Sequence, residues 1–150
     1  MRFNGLRTKV ILIVSVVWFL SAGFFTFYQI RYSMHPMDEV LEDVSATREV
    51  VVRAYSDDGS YEDRGITDPD AVREICDTVL SLKLKVNRFK PLKGVVYELC
   101  FIGSDGETLD VIAVASESDL IDVTETTFRI KSEFDILEYA RGLFAGASAY

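Results

Sequence analysis

Apolar and polar positions follow three rhythms along the chain, and each predicts a different element. From Val10 to Ile30 there is no alternation at all: VILIVSVVWFLSAGFFTFYQI runs twenty-one residues without a charge. As a helix at about 1.5 Å per residue it is about 31 Å long, matching a bilayer interior of ~30 Å. Next, Met37, Val40, Leu41 and Val44 recur at helical spacing, and Pro36, Asp38 and Glu39 suit a helix start. A short amphipathic helix is predicted from Met37 to about Ser45.

Beyond residue 47 the rhythm changes to period two, interrupted by two helical stretches. REVVVRAY (48–55) is rich in β-branched residues and predicts a strand, and 56–65 reads as a turn-rich loop. In 66–82 the stripe Val72, Ile75, Cys76, Val79, Leu80 predicts a helix. Thr67 or Asp68 caps it, Pro69 lies in its first turn and Asp70 completes the capping box. GVVYELCFIG (94–103) and TLDVIAVA (108–115) predict strands joined by the turn Ser104–Glu107, with Gly106 free to take positive φ. LIDV (120–123) and TFRIK (127–131) form a second hairpin around Thr124-Glu125. The last helix, 132–144, has Ser132 as its cap and buries Ile136, Leu137, Ala140, Leu143 and Phe144.

The domain order is therefore β-α-β-β-β-β-α. An antiparallel sheet of five strands, or six if Lys83–Val86 adds one, is packed against two amphipathic helices in an α+β two-layer domain. This order resembles the TATA-box-binding-protein-like topology, a resemblance that concerns the fold alone. Tyr97, Leu99 and Phe101 are expected to meet the helices. That leaves Cys100 on the opposite face from Cys76, too far for a disulfide. Val96, Cys100, Ile102, Ile112 and Val114 would then form an apolar patch on the far face, framed by Glu98, Asp110 and Arg129. Two covers are open for it: the stripe of Met37, Val40, Leu41 and Val44, or a protein partner, including a second copy.

Charge orients these parts. Arg2, Arg7 and Lys9 precede the apolar run and acidic residues dominate after it. The positive-inside rule then gives a cytoplasmic tail (1–9), a transmembrane signal anchor (10–30), a juxtamembrane amphipathic segment (31–47) and an extracytoplasmic α+β domain (48–150). The membrane is thus a partner through residues 10–30. The rival reading is a signal peptide cleaved at Ser21-Ala22-Gly23, releasing a secreted or periplasmic ligand-binding or inhibitor module. Of sixteen basic residues three lie ahead of the run, leaving 13 against 24 acidic ones, near −11. That balance excludes general nucleic-acid binding, which needs a basic footprint.

One segment opposes the trend. KLKVNRFKPLKG (83–94) holds Lys83, Lys85, Arg88, Lys90 and Lys93, with Phe89 among them. It reads either as a short strand whose lysines face water or as a docking patch for an anionic partner. Elsewhere no catalytic constellation assembles. His35 stands alone near the apolar run, and one His with two separated Cys makes no zinc site. The carboxylates Asp57, Asp58, Glu62 and Asp63 around Gly59 lack an EF-hand spacing and read as a solvated turn. The expectation is a membrane-anchored binding or scaffolding domain, part of an envelope complex, with no enzymatic activity and no cofactor.

Overall fold

The computed structural model describes the backbone of residues 3–32, 34–41, 44–87, 92–117, 119–124, 126–131 and 133–149, with side chains for 11–26 and for these residues from 35 onward. Arg88, Phe89, Lys90 and Ser132 lie outside the described residues. The chain divides into two compact units, Met1–Met34 and His35–Tyr150.

The first unit is essentially one helix, α1 (Phe3–Tyr32). Its large apolar side chains are exposed: Trp18, Phe19 and Leu20 keep 67%, 71% and 68% of their surface. The Ser21 and Thr26 hydroxyls donate to the carbonyls of Val17 and Ala22 one turn back, at 2.7 and 2.8 Å. Among the described residues no helix is long and apolar enough to cross a membrane.

The second unit is α+β. Its strands are β1 (Met34–Pro36, beginning at the last residue of the first unit), β2 (Glu49–Tyr55), β3 (Tyr61–Ile66), β4 (Lys83–Val86), β5 (Val95–Ile102), β6 (Thr108–Ala115), β7 (Leu120–Val123), β8 (Thr126–Ile130) and β9 (Ser148–Ala149). They form one sheet in the order β1-β4-β8-β7-β6-β5-β2-β3-β9, and the registers recorded are antiparallel. The helices are α2 (Pro69–Leu80) and α3 (Ile136–Gly146). Strand β3, inserted between β2 and α2, departs from the predicted order and from the topology it resembles.

That strand lies where a loop was expected. Its sequence YEDRGI is polar, but Asp58-Gly59 turns the chain: Gly59 takes φ +82, and Ser56 N–H donates to Ser60 O at 2.8 Å. Asp105-Gly106 does the same for β5 and β6, with Gly106 at φ +82. Lys83–Val86 is a strand, β4, paired with β8.

Strand parity divides the sheet into two unlike faces. Val50, Val52, Leu99, Phe101, Ile112 and Val114 are fully buried and share one core with Val72, Ile75, Cys76 and Val79 of α2 and Ile136 and Ala140 of α3. Register explains this grouping: Leu99 opposes Ile112 and Tyr97 opposes Val114, and directly opposed residues share a face. Ile112 and Val114 therefore belong to the core, not to the far-face patch predicted for them. Asp110 has the same parity and suggested a solvated face; it occupies the strand end, beside a register shift between Phe101 and Ile102.

In place of the α-helix expected from Met37, the described residues form two 3-10 turns, Met37–Glu39 and Val44–Ala46. The stripe is buried as expected, with Met37, Leu41 and Val44 at 0–4% exposure. It joins the helix layer: Met37 N–H donates to Leu82 O at 3.1 Å, and the Cys76 thiol donates to Val44 O at 3.7 Å. The cover suggested for the far face is thus spent on the core. The α2 cap is Asp68, accepting from Ala71 N–H at 2.9 Å. Helix α3 starts later than predicted, capped by Asp135, which accepts from Glu138 N–H at 3.0 Å.

Candidate functional site

Helix α3 lies on β2, β5 and β6, and α2 on β2 and the first 3-10 turn. Of the opposite sheet face, Val51, Arg53, Cys100 and Val111 are half-buried, whereas Ala115 and Leu120 on that same face are buried. At its floor stand Val51, Cys100 and Val111, brought level by the pairs Val51–Cys100 and Cys100–Val111. With Ile102, Thr108, Arg53, Asp63 and Glu98 they line an open depression of about 530 Å³. Of the predicted patch, Val96, Cys100 and Ile102 are half-buried members of this side.

One wall of the depression is a cluster assembled from three strands. Arg53 opposes Asp63 on β3 and Glu98 on β5. Its guanidinium donates Nε to Asp63 Oδ1 at 2.8 Å and Nη2 to Oδ2 at 3.0 Å, while Nη1 stands 3.5 Å from Glu98 Oε2. The Tyr55 hydroxyl donates to that same Oε2 at 2.9 Å. The Arg53 guanidinium carbon lies 4.3 Å from the centroid of the Tyr61 ring, and the Tyr55 and Tyr61 rings are 6.0 Å apart. A flat cation is thereby fixed by a bidentate carboxylate on its edge and an aromatic ring on its face.

The electrostatics follow from this packing. The hydrogen bonds to Asp63 raise the Arg53 pKa, so its charge is permanent. Burial raises the Tyr55 pKa, and its bond to Glu98 adds to that. Burial, helped by Glu98, pushes the Cys100 thiol up to about 11. That leaves Cys100 a neutral floor residue rather than a nucleophile. Burial also raises the Cys76 pKa. Both cysteines are free, as the sequence geometry required.

The other sequence candidates are dispersed. Lys83 and Lys85 are exposed on β4 around the fully buried Leu84, and Lys93 is exposed near the start of β5. The acidic turn does not converge on a point. Asp58 accepts from Ser60 N–H at 2.9 Å and from its hydroxyl at 2.6 Å, which lowers the Asp58 pKa. Glu62 pairs with Arg64 at 2.9 Å and Asp63 with Arg53. His35 stands 3.9 Å from Glu39 and meets the Phe128 ring edge-on at 6.5 Å. Among the described residues no three His, Cys, Asp or Glu side chains are grouped to hold a metal ion.

Sequence reasoning missed the Arg53, Tyr55, Tyr61 and Asp63 cluster because it missed β3. The available signal was Asp58-Gly59, which places Tyr55 opposite Tyr61 and Arg53 opposite Asp63 once it is read as a hairpin turn. No protein-family model, no curated protein and no solved structure matches the chain.

Proposed function

We propose that this chain is a single-pass membrane protein with its N-terminus in the cytoplasm and an extracytoplasmic α+β domain that binds protein at the depression on the sheet face opposite the helices. The observation that carries the binding reading is the Tyr55–Arg53–Tyr61 cluster beside the apolar floor of Val51, Cys100 and Val111. Tyrosine and arginine are the residue types that dominate binding hot spots. Here they are held rigid before any partner arrives, which lowers the ordering cost of association. The anchor reading rests on the charge-free run 10–30 behind Arg2, Arg7 and Lys9. It is helped by the way Ser21 and Thr26 satisfy their hydroxyls within α1, as a hydroxyl in hydrocarbon must.

Fractionation with N-terminal sequencing tests the anchor. The expected result is an intact N-terminus in carbonate-washed membranes, with the domain digested by protease added from outside. A soluble chain beginning after Gly23 establishes the cleaved, secreted module instead. Arg53→Ala and Tyr61→Ala test the face, each lowering recovery of a cross-linked partner while the domain stays folded.

A further inference from the structure

Register with β8 turns the lysines of β4 into a cluster. Lys85 opposes Arg129, and the Lys131 N–H donates to the Lys83 carbonyl at 2.8 Å, which carries the pairing one step further. Leu84 and Ile130 between them are buried in the core, so Lys83, Lys85, Arg129 and Lys131 share the opposite face. Two like-charged pairs thus stand side by side across these strands, an arrangement that costs stability until an anion relieves it. Asp119 neutralises one member, Arg129. Lys83, Lys85 and Lys131 are exposed and make no ion pair among the described residues. Three uncompensated cations occupy one corner of a domain in which acidic residues outnumber basic ones.

We infer that this corner docks on the phosphate-bearing headgroups of an anionic lipid surface, that of the membrane in which the chain is anchored. The inference rests on the anchor half of the reading above. Connectivity favours a lipid over a free anion. Strand β4 borders β1, and β1 begins at Met34, two positions after α1 ends at Tyr32. The lysines therefore stand on the strand next to the one by which the chain enters the sheet. Lysine suits the task, because its long apolar stem lets a point charge reach a headgroup phosphate. Asp38 and Glu39 follow β1, and Asp122 lies on the lysine face one strand beyond β8. These carboxylates oppose adsorption and confine the contact to the corner itself. Repulsion of the acidic remainder of the domain from the same surface turns the lysines toward it.

Amine footprinting of the full chain reads the docking. The chain is reconstituted into vesicles of phosphatidylcholine, alone or with about one-third phosphatidylglycerol. Acetylation of each lysine is followed by peptide mass spectrometry under single-hit conditions. Lys83, Lys85 and Lys131 are expected to react about fivefold more slowly on the anionic vesicles, the weight of one basic residue near such a surface. High salt should abolish the difference. Replacing both Lys83→Gln and Lys85→Gln, exposed positions, should return Lys131 to its rate on phosphatidylcholine. Equal rates on the two vesicles, in a chain that carbonate does not wash out, overturn the docking and leave the anchor standing. The same slowing by inorganic phosphate on phosphatidylcholine vesicles overturns the lipid as the ligand. A chain that washes out in carbonate overturns the anchor and the docking together.

Discussion

Arg53 and Asp63 face each other across β2 and β3 and join through two parallel hydrogen bonds, at 2.8 and 3.0 Å. The pair pins a polar hairpin that contributes little to the core. Arg53→Ala leaves two carboxylates unopposed and removes the cation from the Tyr61 ring. Side chains here are about three-tenths exposed, so solvent screens the loss. The expected cost is about 1–2 kcal/mol in urea unfolding of the purified chain. Arg53→Lys keeps the charge, loses the bidentate geometry and recovers less than half.

The two faces of β6 give a direct contrast. Ile112 is fully buried, so Ile112→Ala is expected to cost about 3 kcal/mol. Its neighbour Val111 lines the open depression, and Val111→Ala should cost under about 1 kcal/mol. Equal effects in chemical denaturation would mean that the face assignment is wrong.

Alkaline pH should weaken the fold through Cys100. Its thiol titrates near 9.0 when unperturbed and is pushed to about 11 in the folded chain, by burial first and Glu98 second. A folded-state pKa above the unfolded one gives stability that is complete below pH 9 and lost as pH rises toward 11. Tyr55, also raised, acts in the same direction. Cys100→Ala should flatten the decline in melting temperature between those values. At pH 8 the native thiol should alkylate slowly, holding about a hundredfold fewer thiolates than an ordinary cysteine. Timed labelling with peptide mass spectrometry reads this directly.

Thr124 carries a strain that a substitution can relieve. It turns β7 into β8 at φ +50, a left-handed conformation that a β-branched residue adopts at a cost. Thr124→Gly or Thr124→Asn is expected to stabilise the domain by about 0.5–1 kcal/mol, seen as a higher melting temperature.

What the sequence made legible were elements whose local chemistry and burial agree. In α2, a capping aspartate, a proline in the first turn and an apolar stripe all indicate the same helix. Strand β5 showed its faces because Tyr97, Leu99 and Phe101 outweigh Glu98 and Cys100. Strand β6 is apolar on both sides, so alternation could not orient it; the register with β5 did. Strand β3 lacks an apolar face, because Asp63 and Glu62 are satisfied by Arg53 and Arg64 rather than by burial. The candidate site stayed hidden for that reason: its side chains are adjacent only across strands.

The position of β4 has a consequence for how the protein is made. This strand lies between β1 and β8, although β8 is synthesised long after it. During vectorial emergence Leu84, finally sealed from solvent, waits uncovered until residues 126–130 arrive, since non-local pairing must precede burial. A chain stopped after β7 would hold a loose, lysine-bearing segment open to proteases. Completion of the sheet is thus a late checkpoint, and truncated products should be cleared by quality control rather than accumulate.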